Sequence, residues 1–318
     1  MSILNRTRTV TIICWAVSAL ALMGLIVWFL LGNLFNIGFG FDFGMGTFDP
    51  VGTHSVSADN IDSLDIDWTS GAVYIGTHHG DEILITEFAR RSLRDGEEMA
   101  LNTGGGTLAI QFTERRGLRI GNNLTKQLEV LIPYTLSQAL ENFYVNTVSG
   151  RAIISDVYAT DFLVDTTSGR IELRNITAQN LSASTTSGRI EVFNTTAEDI
   201  SLRTVSGRIG ATNTEAQSLR TQTTSGRHEL FGSFDYVNAR STSGRIEITS
   251  QVLPDRVIAD ATSGRIELTV PDEGAVTVRY STGSGRFSSD IAVTTHGGAD
   301  AQFDLSTRSG RISIFALR

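Results

Sequence analysis

Apolar and polar residues alternate in short runs along most of the chain, and the runs recur. Ile171 and Leu173 alternate with Arg170, Glu172 and Arg174, the period of a strand with one face buried. Leu181 and Ala183 alternate in the same way with Asn180, Ser182 and Ser184. Between the two runs, Asn175 marks a corner, with Ile176 and Ala178 expected to point inward. The following units repeat these choices, first at Ile190, Val192, Ala197, Ile200 and Leu202, then at Ile209, Ala211, Ala216 and Leu219. After residue 35 no helical period is found except a short piece near 135–142.

A tripeptide keeps time with this pattern. Ser-Gly-Arg recurs with its glycine at Gly150, Gly169, Gly188, Gly207, Gly226, Gly244, Gly264, Gly285 and Gly310. The first four intervals are 19 residues each, followed by 18, 20, 21 and 25. A fixed period near 20 residues marks a stacked architecture, because one unit cannot bury its apolar face alone. The chain is therefore predicted to be all-β, a parallel β-helix or β-solenoid with rungs of about 19 residues. Strand twist and the crossover rule make it right-handed. Rungs about 4.8 Å apart place equivalent side chains in columns. Asn175, Asn194 and Asn213 form an amide column, and the glycines form a column of tight turns that call for positive φ.

The ends differ from this regular part, which spans 147–318. Residues 10–31 carry no charge and are long enough to cross a bilayer as a helix, with Arg6 and Arg8 ahead of them in a short segment, 1–9. This predicts a single-pass anchor with a cytoplasmic N-terminus and an extracytoplasmic remainder, in preference to a cleaved signal peptide. Residues 32–60 are rich in Gly and Phe and read as a linker, or alternatively as an irregular first edge strand. Residues 61–146 are β-rich but irregular and read as a cap on the solenoid. Within them, 68–75 is a degenerate copy of the repeat with Ala72 in place of Arg. No polar capping helix follows the last repeat, so either an earlier loop covers this end or the C-terminal strand offers an open edge to a partner.

Charge narrows the possible partners. A formal net charge of −8 argues against nucleic-acid binding. Of 26 basic residues only Lys126 is a lysine, and Cys14 is the sole cysteine, so no intramolecular disulfide can form. The arginines of the repeat make a column in which neighbours repel by roughly 0.9 kcal/mol even in water. Two residues on, Glu172, Glu191, Glu229, Glu247 and Glu267 face the same side as Arg170, Arg189, Arg227, Arg245 and Arg265. They predict a self-neutralising Arg/Glu ladder. Arg151, Arg208, Arg286 and Arg311 lack that carboxylate, since Ile153, Gly210, Ser288 and Ser313 take its place. These four are the candidates for gripping an anionic polymer, lipid headgroup or envelope protein.

Other chemistry is weakly represented. His78 and His79 are adjacent on a strand and point to opposite faces, a poor metal pair. His228 stands at an inward position usually held by Ile and reads as a core histidine. No nucleophile elbow, Cys/His dyad, metal-spaced cluster or phosphate-cradling glycine loop is present, so neither catalytic residues nor a metal or cofactor are expected.

The serial Ser-Gly-Arg-Ile-Glu-Leu units, the opening 64–75 and the stretch 128–133 together resemble the bacterial β-strand-repeat adhesin family, the LiaG-like domains of unknown function. The likeness covers roughly 61–318. It implies a β-solenoid in a cell-envelope setting and brings no active-site motif with it. The expected function is binding or scaffolding at the envelope, with a link to envelope stress. The first alternative is a structural element that self-assembles through the open edge, and the weaker one is a polysaccharide-active β-helix enzyme.

Overall fold

Seven strands precede the regular repeats and close their first coil. They are β1 (Asp49–Ser57), β2 (Ser63–Ser70), β3 (Val73–His78), β4 (Glu82–Ala89), β5 (Ala100–Gly104), β6 (Thr107–Gln111) and β7 (Lys126–Pro133). The structure is a computed structural model that describes residues 48–114, 124–294 and 301–317. β2 and β3 form a coil of the repeat type, and β6 and β7 lie parallel to them on the outer side. Antiparallel strands then finish both arms: β5 covers β6, while β4 covers β7 and β1 covers β4. Reversing strand direction ends the parallel stacking without leaving β6 or β7 as an edge. The segment 32–60, read as linker, thus contains a strand at Asp49–Ser57. The predicted anchor, 10–31, lies outside the described residues. Among the described residues no helix is long and apolar enough to cross a membrane.

The regular coils follow as β8 (Leu140–Ser155), β9 (Tyr158–Arg174), β10 (Thr177–Ser187), β11 (Ile190–Ser206), β12 (Ile209–Ser225), β13 (His228–Ser243), β14 (Ile246–Ser250), β15 (Arg256–Ser263) and β16 (Ile266–Val270). All pair in parallel with a register of one repeat, for example Gly150 with Gly169 and Leu202 with Thr221. The inward residues predicted from alternation, including Ile171, Leu173, Leu181, Ala183, Ile200 and Leu202, are all buried. The only helical turn among the described residues is a short 3-10 piece, Leu136–Gln138, at the foot of β8.

The amide column exists and explains the period. Asp156, Asn175, Asn194 and Asn213 all take left-handed φ values between 50° and 62°. Each asparagine donates Nδ2 to the side-chain oxygen one coil earlier, at 2.7 Å for Asn175, 3.2 Å for Asn194 and 2.9 Å for Asn213. Asparagine tolerates this corner because its short amide bonds locally in the left-handed region. The register shifts between Thr212 and Thr214 where β12 meets β13. The missing residue is the next asparagine, which accounts for the single 18-residue interval.

The last coils are out of sequence order. β17 (Val276–Ser289), β18 (Val293–Thr294) and β19 (Ala301–Ala316) complete the chain. β19 pairs with β15 and β16 on one side and with β17 on the other. The final repeat is therefore inserted below the one that precedes it. The expected open edge at the C-terminal strand is corrected accordingly: β17 is the outer strand, and among the described residues its far side is bordered only by β18, at Val276 and Thr277. Tyr280 and Phe287, in inward columns, stack at 4.1 Å between centroids and lie over the end of the core.

Candidate functional site

The corner that carries the arginines is set by the glycines. A Cβ on Gly169, Gly188, Gly207, Gly226, Gly244, Gly264, Gly310 or Gly285 would fall 2.7–2.9 Å from the carbonyl carbon of the preceding glycine in the stack, and nearer still to its oxygen. Spatially the line runs from Gly71 through Gly150 to Gly264, then to Gly310 and last to Gly285. Close backbone approach, rather than positive φ, is what demands glycine in the repeats after Gly150; the positive φ expected there is confined to Gly71 and Gly150. Threonines just before the corner help to hold it, as where Thr204 donates Oγ1 to Gly188 O at 3.3 Å and Thr307 to Gly264 O at 3.2 Å.

This line of glycines stacks the arginines. Own-coil pairs form as predicted: Arg170–Glu172 at 3.0 Å, Arg189–Glu191 at 3.3 Å, Arg227–Glu229 at 3.0 Å, Arg245–Glu247 at 3.5 Å and Arg265–Glu267 at 3.2 Å. Three coils also reach the next: Arg170 contacts Glu191, Arg208 contacts Glu229, and Arg245 meets Glu267 at 3.1 Å. The ladder thus links adjacent coils in short groups, with Glu172, Glu191, Glu229 and Glu267 each shared by two guanidiniums and Glu247 held by Arg245 alone. Arg174 adds a further contact to Glu172 and lies 4.7 Å from the centroid of the Phe193 ring. With their guanidinium ends partly exposed to solvent, pairs of this kind contribute roughly 0–1 kcal/mol each, so the ladder offsets like-charge repulsion more than it adds stability.

The four candidate arginines separate. Arg208 is not free, because Glu229 of the following coil replaces the carboxylate that Gly210 lacks. Arg151 makes no ion pair among the described residues. It lies near Tyr74, whose phenol burial pushes up in pKa while the Arg151 charge pulls it down. Arg311 and Arg286 are exposed neighbours across the β19–β17 boundary and likewise have no ion pair among the described residues. Ser313 and Ser288 stand where the carboxylates would be, and they bond to each other at 3.1 Å. The repeat column therefore ends in two uncompensated guanidiniums on the outermost coils.

Other residues singled out in the sequence have ordinary partners. His78 accepts from the Gly80 N–H at Nδ1 and contacts Glu82 O through Nε2 at 2.8 Å, while His79 packs near the Tyr134 ring. Among the described residues no group of three or more His, Cys, Asp or Glu is placed to hold a metal. His228 is fully buried with Nδ1 2.8 Å from the Thr221 hydroxyl, and burial pushes its pKa down to about 4 despite the nearby Arg240 backbone.

One buried site escaped the sequence reading. Lys126, the lone lysine, is fully buried beneath the first coil, with Nζ 2.7 Å from Glu87 Oε1. It also donates to Glu97 O at 2.6 Å and Thr113 O at 3.0 Å, and sits 4.2 Å from the Phe112 ring centroid and 5.3 Å from that of Trp68. Burial pulls its pKa below the usual value, opposed by Glu87. Trp68 Nε1 donates to Lys126 O at 3.0 Å, fastening β7 to β2. The one available signal was a lysine in a chain that otherwise uses arginine.

Solved structures share this architecture. A "putative adhesin" from Parabacteroides distasonis is 14% identical, with TM-score 0.54 over 85% of this chain and 98% of that one. Another from Parabacteroides merdae is 13% identical, with TM-score 0.53 over 85% and 97%. A "putative lipid binding protein" from Parabacteroides distasonis is 15% identical, with TM-score 0.50 over 83% and 96%. At these identities the likeness establishes the fold alone. No curated protein matches the chain. The family model described as Toastrack DUF4097 matches residues 61–315, and the chain belongs to that family.

Proposed function

We propose that the protein is a membrane-anchored, non-catalytic solenoid that binds or scaffolds at the cell envelope through the arginine-rich end of its stack. The observation that carries this reading is the pair Arg311 and Arg286, adjacent, exposed and flanked by serines where the inner coils place glutamate. A phosphate or carboxylate set between two guanidiniums relieves their repulsion and can engage each fork bidentately. An anionic envelope polymer or a lipid headgroup supplies such groups. The uncharged run 10–31 would tether the solenoid outside the membrane, a position suited to reporting envelope stress. The test is binding of the full-length chain to anionic glycopolymers and to anionic vesicles at increasing salt. Arg286→Gln with Arg311→Gln should weaken binding about tenfold and flatten its salt dependence; unchanged, salt-independent binding removes the reading.

A second reading rests on β17. Beyond Thr277 its outer edge faces no strand among the described residues, and unpaired edges template association. Sedimentation of the full-length chain across a hundredfold concentration range decides it, since a concentration-independent monomer eliminates self-assembly.

A further inference from the structure

Another group of arginines occupies the arm before the corner. Arg203 on β11 and Arg240 on β13 share one column with Gln222 of β12 between them. Both arginines are exposed, and among the described residues neither side chain has an ion pair or hydrogen bond. Arg220 stands two residues before Gln222 on the same face, its guanidinium 5.6 Å from the Tyr236 ring centroid and 2.6 Å from Asp199. With Ser201 and Asn238 these residues line a cleft of about 140 Å³. Asp260, the next member of the column beyond Arg240, accepts from Ser306 at 2.6 Å and makes no ion pair with Arg240, while Asp165, two rungs from Arg203, accepts from Ser184.

The arrangement is selective in shape as well as sign. Two rungs separate the strands of Arg203 and Arg240, about 9.6 Å at the usual spacing, which leaves room for one small anion above Gln222. The amide in the middle position donates N–H groups without adding a third repelling charge. Guanidinium forks that converge from opposite sides need acceptor oxygens pointing both ways. A tetrahedral oxyanion provides them on more sides than the two oxygens of a carboxylate, with oxygens left over for the Gln222 amide. On a chain of net charge −8, two arginines two rungs apart that make no ion pair among the described residues stand out.

We propose that this cleft is a phosphate-binding subsite, gripped by Arg203 and Arg240, bonded by the Gln222 amide and walled by Arg220. It stands apart from the terminal pair Arg311 and Arg286 and does not rest on it.

Titration calorimetry of the full-length chain with inorganic phosphate and with glycerol phosphate at low salt tests the assignment. A parallel arm compares vesicles containing phosphatidylglycerol with vesicles of phosphatidylcholine alone. In a chain carrying Arg286→Gln and Arg311→Gln, which removes the terminal pair as a competing site, one phosphate per chain is expected, weakened about tenfold by adding Arg203→Gln or Arg240→Gln. Gln222→Glu keeps every arginine and inserts a carboxylate between two of them; it should abolish binding while the melting temperature holds. Binding of the soluble probes identifies a free or polymer phosphate as the source, and a preference confined to phosphatidylglycerol vesicles identifies a headgroup. Absence of binding in both arms overturns the proposal, as does binding that survives Gln222→Glu or that is lost only with the terminal pair.

Discussion

Replacing His228 by Ile should remove a specific acid sensitivity from the fold. Its column otherwise reads Ile190, Ile209, Ile246 and Ile266, so the substitution restores the shape of its neighbours. His228 has a folded pKa of about 4 against an ordinary value of 6.5, because burial disfavours the charged ring. The unfolded chain therefore binds the extra proton at a higher pH than the folded chain, and stability must fall as pH drops through this window. Between pH 7 and pH 4 the linkage amounts to about 3 kcal/mol, using 1.36 kcal/mol per pKa unit with the ring half-protonated at the lower limit. At pH 7 the change should be small, since the added apolar burial offsets the loss of a partner for the Thr221 hydroxyl, a cost of about 1–3 kcal/mol. Urea unfolding of both proteins at pH 7, 5.5 and 4 measures the difference directly, because carboxylate titrations common to the two cancel. If the wild type and His228→Ile lose the same stability over that range, the histidine is not held neutral and the argument fails.

Three further outcomes follow from the stacking. Gly207→Ala should cost about 3 kcal/mol or more, because overpacking and two weakened strand bonds act together, whereas Gly210→Ala three residues on, whose added methyl meets Glu191 at 3.8 Å and the Ile190 carbonyl oxygen at 3.9 Å, should be neutral or stabilising by melting temperature. Asn194→Ala should cost about 2 kcal/mol from left-handed strain plus broken amide bonds, and Asn194→Gly should recover the strain portion in the same unfolding assay. Lys126→Met should cost about 3–5 kcal/mol by stranding the Glu87 carboxylate, and adding Glu87→Gln should return much of that loss in a double-mutant cycle.

Much of this molecule could be read from spacing alone. The 19-residue period gave the coil, and alternation gave the inward residues. The recurrence of Asn175, Asn194 and Asn213 gave the amide column. What spacing could not supply was the identity of neighbours across coils. Arg208 looked unpaired because its own coil offers Gly210, yet its partner Glu229 lies 21 residues on and becomes adjacent only through parallel register. The role of the corner glycines was legible as a need for glycine, but the cause is the carbonyl of the neighbouring coil, not the local dihedral. Lys126 was noticed for its rarity, though nothing local shows that β7 returns beneath β2 and encloses it between Trp68 and Phe112. The exchange of the last two coils leaves no trace in the repeat at all, since both carry the same tripeptide.

That exchange has a bearing on biosynthesis. The strand 276–289 leaves the ribosome before its main lateral neighbour exists, and that neighbour is the stretch 301–316. Until those residues are made, the nascent rod ends on 256–270 with a vacant berth. A ribosome that stops short of them leaves a chain whose distal aromatic lid has nothing to rest on. Arrival of the closing segment thus joins two otherwise separate pieces of sheet in one event, which seals the far end.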